Sequence, residues 1–277
     1  MTKTIPDNKQ WLKKTERAAL SNGITMSYME TGDEQKPILI LIHGISDSCR
    51  NYRTIMQELS DDYHIYAVDL RGFGQTDKSE PYCFTAFQFA QDVRLLMDAL
   101  GIKAAYVCGH SMGSMVAQTL AFAFPDCVLG VVLISSFAHM HETPEDVRKI
   151  GEEFGGMDIQ SMSDEELTEA FQPDAKLLYD PTFLQGYLET LRGITGQIMR
   201  AAWYAMSIND NRNFLQFIQA PVMILWGTED EIFTKAYQDE LMEYLPDAKF
   251  VVYEGIGHDI ITQDPIRCAA DIRAFLK

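Results

Sequence analysis

Five apolar runs, at residues 38–42, 65–68, 105–108, 131–134 and 222–226, are too short for helices and too continuously hydrophobic for strands with one wet face. Such runs predict strands buried on both sides of a sheet. A sixth run at 250–253 comes near the end of the chain. Helical patterns lie between them: Phe89, Val93, Leu96, Met97 and Leu100 recur at helical spacing, and Gly101 stands where a C-terminal cap belongs. Strand and helix in alternation predict a mostly parallel sheet. Residues 18–30, turned at Ser21-Asn22-Gly23, predict an antiparallel hairpin at its edge. Asp264 and Pro265 fit an N-cap and first helical position, and Ile266, Ala269, Ile272, Phe275 and Leu276 then mark the last covering helix.

From 137 to 217 the strand runs vanish. Helical stretches rich in large apolar residues replace them, among them Phe154, Met157, Met162, Phe171, Tyr179, Phe183, Tyr187, Met199, Trp203, Tyr204 and Met206. This stretch predicts an all-helical insertion whose apolar residues mostly form its own core. A few are expected to line a ligand cavity, because large apolar side chains are the usual walls of one. Met157, Phe183, Trp203 and Met206 are the candidates, with Ser46, Phe137 and Ile232 from the flanking loops.

The balance of 23 basic against 40 acidic residues, a net charge of −17, argues against nucleic acid or an anionic membrane surface as partner. No basic run or basic amphipathic helix offsets it. The first twenty residues lack the apolar core of a signal peptide, and no stretch of about 18 apolar residues occurs. Five cysteines (Cys49, Cys83, Cys108, Cys127, Cys268) form no C-x-x-C pair, which fits reduced thiols. A cytoplasmic protein acting on a small molecule is the expectation; oligomeric state stays open. No cluster of His, Cys or Asp shows metal-ligand spacing, so neither metal nor cofactor is expected.

The chemistry concentrates after the run at 105–108. Gly109-His110-Ser111-Met112-Gly113 lies between a buried strand and an alanine-rich helical stretch, the context a G-x-S-x-G nucleophile elbow requires. A serine on so sharp a turn has neighbours pressed together, and positions 109 and 113 therefore tolerate almost no side chain. Its hydroxyl is a weak nucleophile and needs a base of near-neutral pKa, which points to histidine. Of the six, His64, His139 and His141 have no orienting pattern, His110 adjoins the serine and is expected to point away, and His43 belongs to a strand end. His258 remains, in the loop between the last strand and the last helix, where catalytic groups of open α/β sheets gather. A carboxylate should lie between serine and histidine in chain order, and Glu229, Asp230 and Glu231 all follow a buried strand.

With these motifs the chain resembles the α/β-hydrolase family, in the serine branch with a helical cap after the sixth strand. The resemblance covers nearly the whole chain. It implies a mostly parallel eight-stranded sheet flanked by helices, with a core of 1–136 and 218–277 and a cap of 137–217. G-x-x-D spacing after Trp226 resembles the family's acid site and singles out Asp230, making the set Ser111, Asp230 and His258. The stretch Leu41-Ile42-His43-Gly44-Ile45-Ser46 resembles the HG loop, which implies backbone N–H groups of Ile45 and Met112 as oxyanion donors and a shaping role for His43. The stretch from Asp69 to Asp77 is similar to a structural loop of this branch, with Arg71 and Asp77 pinning it.

Dehalogenases and epoxide hydrolases of this layout carry Asp as nucleophile, so Ser111 argues against both. Cleavage of an ester, lactone or thioester through an acyl-enzyme is the expected reaction. C–C bond hydrolases and proline iminopeptidases are the alternatives within the family. A ligand receptor on a hydrolase scaffold is the alternative from another class.

Overall fold

The computed structural model describes residues 15–78, 84–171 and 181–276, the side chains of 181–183 excepted. Cys83, Tyr179, the side chain of Phe183 and the first 14 residues lie outside this description. A single eight-stranded sheet organises the chain. Strands β1 (Thr15–Ala19) and β2 (Thr25–Thr31) form the expected antiparallel hairpin at one edge. The others are β3 (Ile38–Ile42), β4 (His64–Val68), β5 (Ala105–His110), β6 (Val128–Ile134), β7 (Val222–Gly227) and β8 (Lys249–Tyr253). The order across the sheet is β1-β2-β4-β3-β5-β6-β7-β8, with every pairing from β4 onward parallel.

Successive residues of a strand point to opposite faces, and both faces are covered here. Ile40, Ile42, Val107 and Val131 pack with helices α2 (Ala86–Ala99) and α3 (Met112–Ala123), whereas Leu39, Leu41, Cys108 and Val132 pack with α1 (Arg53–Leu59) and the C-terminal helix. This double covering is why the strands read as unbroken apolar runs. Between β6 and β7 stand α4 (Pro144–Gly156), α5 (Asp164–Phe171), α6 (Pro181–Arg192) and α7 (Gly196–Ser207). Helix α8 (Lys235–Tyr244) follows β7, and α9 (Ile260–Gln263) and α10 (Pro265–Phe275) follow β8. Asp264 caps α10, accepting from Arg267 N–H with Pro265 at the first position, as its sequence predicts. None of the described helices is long and apolar enough to cross a membrane.

The loop after β4 holds the site's floor in place. Asp69 accepts the N–H of Cys49 at 2.8 Å and of Gln75 at 2.9 Å, stitching it to the segment after β3. Arg71 and Asp77 do pin it, though not to each other: Arg71 forms a two-pronged pair with Asp92 of α2, and Asp77 accepts from Arg17 and from Thr25 N–H. Arg71 and Asp92 are 5% and 1% exposed, so removing either charge strands the other in an apolar interior. Asp92→Ala is expected to cost about 3–5 kcal/mol of unfolding free energy. Urea denaturation checks this, and a loss below about 1 kcal/mol, the scale of an exposed pair, would contradict it.

Candidate active site

Ser111 directly follows β5 and serves as N-cap of α3 with φ +52° and ψ −122°, a conformation side chains rarely adopt and one that costs on the order of 1–3 kcal/mol. Packing holds it there. A Cβ on Gly109 would stand 2.1 Å from the Gly113 carbonyl oxygen, and one on Gly113 would stand 2.2 Å from that of Ile42. The two glycines of the motif thus let the turn close against itself and against the end of β3. Gly44 lies against the serine as well, since a Cβ there would meet Ser111 Cβ at 3.2 Å. Neither the Ile45 nor the Met112 amide N–H has an acceptor among the described residues. The Met112 amide is one of the free donors at the start of α3, where the helix dipole favours negative charge.

His258 Nδ1 lies 3.1 and 3.0 Å from the two Asp230 carboxylate oxygens. Asp230 is buried, and its Oδ1 also accepts the N–H groups of Ile232 at 3.0 Å and Phe233 at 2.8 Å. Those fixed donors hold the carboxylate facing the ring, which assigns Nδ1–H to the imidazole and leaves Nε2 free. Burial disfavours the imidazolium, but the hydrogen bond and charge of Asp230, with Asp259, outweigh it and raise the His258 pKa above 6.5. Ser111 and His258 face the same cavity, though no hydrogen bond joins Ser111 Oγ to the ring in this structure.

His110 departs from the expectation that it points away. Its buried ring lines the cavity, packs 5.0 Å from the ring of His258, and donates from Nε2 to the His258 carbonyl at 3.1 Å. Ser135 Oγ donates to the same carbonyl at 2.6 Å. The His258 backbone is thus clamped from two strand ends. Burial, and then the neighbouring His258 charge, push the His110 pKa down to about 4, so it is neutral near pH 7. His43 behaves as its position suggested: Nδ1–H donates to Gly44 O at 2.7 Å and Nε2 accepts Leu70 N–H at 3.0 Å, which shapes the loop.

The cavity has a volume of about 370 Å³, room for a small organic molecule. Of the expected lining residues, Ser46, Trp203, Met206 and Ile232 do face it. Phe137 does not, being fully buried behind the wall and stacked on Phe233 with ring centroids 4.5 Å apart. Met157 does not either; it ends α4 and packs beside Gly196, away from Ser111. Phe154, Phe171 and Tyr187 take those places on the helical side. Sequence reasoning also passed over Asp47, which lies beside Ser46 in the HG loop. It is buried, lines the cavity, and accepts from Asn51, and burial followed by the nearby Asp259 charge raise its pKa well above the usual range. Burial also raises the Tyr187 phenol. Glu229 is exposed, and Glu231 stands at the cavity rim.

The sequence pattern of the family described as alpha/beta hydrolase fold matches residues 37–265. Lipase 1 of Psychrobacter immobilis is 25% identical over 267 residues, covering 92% of this chain and 82% of that protein. Epoxide hydrolase 4 of Homo sapiens is 29% identical over 119 residues, a match that covers 43% of this chain and only 33% of the human protein. The crystal structure of the enol-lactonase from Burkholderia xenovorans superposes with a TM-score of 0.82 at 23% identity, covering 94% of this chain and 99% of that one, a likeness of fold.

The two neighbouring histidines should titrate apart. Imidazole NMR is expected to show His258 with a midpoint above 6.5 and His110 uncharged down to about pH 4. The linkage signs are opposite. Between pH 6.5 and about 4 the unfolded chain binds a proton that folded His110 refuses, so its contribution to stability falls with falling pH. The His258 contribution is complete below its unfolded value and is lost as pH rises through the raised folded one. Equal midpoints for the two rings would contradict this.

Proposed function

Because the chain belongs to the alpha/beta hydrolase fold family, we propose that it is a serine hydrolase that cleaves an ester-type bond, in an ester, lactone or thioester, through an acyl-enzyme. The observation that carries the reading is the strained Ser111 at the head of α3, facing one cavity with a histidine whose other ring nitrogen is held by a buried carboxylate. In this reading residues 137–217 are the cap, 1–136 and 218–277 the core, and the cavity is their shared substrate pocket.

His258 Nε2 takes the Ser111 hydroxyl proton as Oγ attacks the carbonyl carbon, and the C=O π electrons move onto oxygen. The Ile45 and Met112 N–H groups receive that oxyanion; losing one such donor costs about 10²–10³ in rate. The tetrahedral intermediate collapses, the bond to the leaving group breaks, and His258 returns the proton to it. Water, deprotonated by the same imidazole, then attacks the acyl-enzyme, the bond to Ser111 Oγ breaks as His258 returns the proton to it, and the acid leaves. Asp230 fixes the tautomer and stabilises the imidazolium without taking its proton. His110, neutral beside it, positions the His258 backbone without adding a charge that would oppose protonation. The serine is why an esterase reading is preferred to that of the epoxide hydrolases. The likeness to a lipase over most of both chains and the apolar walls from Phe154, Trp203 and Met206 favour a small to medium hydrophobic acyl group.

Ser111→Ala is expected to lower the hydrolysis of p-nitrophenyl esters by at least about 10³-fold, with the fold retained by circular dichroism. Undiminished turnover in that variant would end the proposal, and saturable ligand binding without turnover in the wild type would support a receptor instead. The wild-type kcat/KM should fall as pH drops through the raised His258 pKa, since only the neutral ring is a base. Asp230→Asn should lower the rate by about 10⁴-fold by spoiling the tautomer; a rate within about tenfold of wild type would contradict that role.

A further inference from the structure

Beyond the bend that follows β6, His139 pairs with Asp210 in an antiparallel bridge while Asn211 N–H donates to Ala138 O at 3.0 Å. Alternate side chains of an extended segment face opposite ways. Met140 and Glu142 line the active cavity, and His139 and His141 turn outward to Glu240 on α8. His139 Nδ1 and His141 Nε2 stand 2.8 and 3.2 Å from the same Glu240 oxygen, and the three candidate ligand atoms lie within 4.8 Å of one another.

We infer that His139, His141 and Glu240 bind a divalent transition-metal ion, zinc above all, and that the ion fastens the start of the helical segment to α8. Two imidazole nitrogens and a carboxylate oxygen form a donor set suited to zinc. Ligands at about 2.0–2.2 Å in a tetrahedron stand roughly 3.3–3.6 Å apart, so the two imidazole–carboxylate contacts need to open by less than about an ångström. The surroundings orient two of the three ligands, Glu240 and His141, as outer partners of metal sites do. Arg212 stands 3.6 Å from the second Glu240 oxygen and is itself held by Asp210 at 2.7 Å. The Tyr237 ring stacks on His141 at 3.9 Å, and its hydroxyl accepts His141 N–H at 3.0 Å. Side-chain exposures of 23%, 35% and 19% for His139, His141 and Glu240 leave a side open for water as the fourth ligand. The third ligand lies 99 residues from His141 in sequence, which is why no spacing announced the cluster. Because the ion would join the segment carrying Met140 and Glu142 to the helix behind Ile232 and Phe233, its binding would stiffen one wall of the cavity while taking no part in the ester chemistry.

The test uses the full-length chain carrying Ser111→Ala, so that its outcome is separate from that of the proposed reaction. After chelator treatment and dialysis, titration calorimetry with Zn²⁺ is expected to show one saturable site, with Tm rising as zinc is added. Cobalt titration should develop the visible absorption of a nitrogen- and oxygen-ligated low-symmetry ion. His141→Ala, on a partly exposed side chain and checked for folding by circular dichroism, should weaken zinc binding by more than the roughly 10–100-fold that loss of an outer partner costs. Glu240→Gln should weaken it as well. Absence of saturable one-to-one binding in the unsubstituted site, or affinity unchanged by His141→Ala, would overturn the inference.

Discussion

Everything at the site depends on how closely two backbones approach at the end of β5. Gly109 and Gly113 leave no room for a Cβ, and this contact, with the end of β3 pressed against Gly113, fixes Ser111 at φ +52°. Held in strain, the serine stands at the head of α3 beside free amides, where negative charge is favoured. The sheet supplies the rigidity that this strain requires, since β3, β5, β6 and β7 around it are parallel and almost wholly buried.

The same strand ends set the electrostatics. Two buried histidine rings 5.0 Å apart oppose each other's charge, and of the two only His258 has a carboxylate within hydrogen-bond reach. His258, on Asp230, gains basicity, and His110 loses it to burial and then to the His258 charge, which its hydrogen bond to the His258 carbonyl offsets only in part. Asp47 is likewise driven toward its neutral form by burial and by Asp259. Burial thus works against charge at two of the titratable residues that line the pocket, His110 and Asp47.

Much of the fold was readable because burial on both faces writes itself into sequence as continuous apolar runs, and because the turn at Ser21-Asn22-Gly23 and the Asp264-Pro265 cap are local signals. The residues gathered at the site were readable for a related reason: each follows a strand at the sheet's carboxyl end. What failed was direction and distance. His110 was set aside because neighbours on a turn point apart, yet the strained geometry turns both side chains into one cavity. Phe137 and Met157 were expected in the wall because an amphipathic pattern tells which residues are buried, but not against what. The partner of Arg71 is Asp92 on a following helix, and Glu240 meets His139 across 101 residues; contacts of that range follow from packing alone.

The most direct measurement is covalent. A fluorophosphonate reacts with a serine only when a base activates it and donors hold the phosphoryl oxygen, so it reads the whole constellation in a single bond. Incubating the full chain with such a reagent and mapping the adduct by peptide mass spectrometry should give one modification, on Ser111, formed far more slowly in His258→Ala. An adduct on another residue, or none under conditions that label known serine hydrolases, would contradict the account.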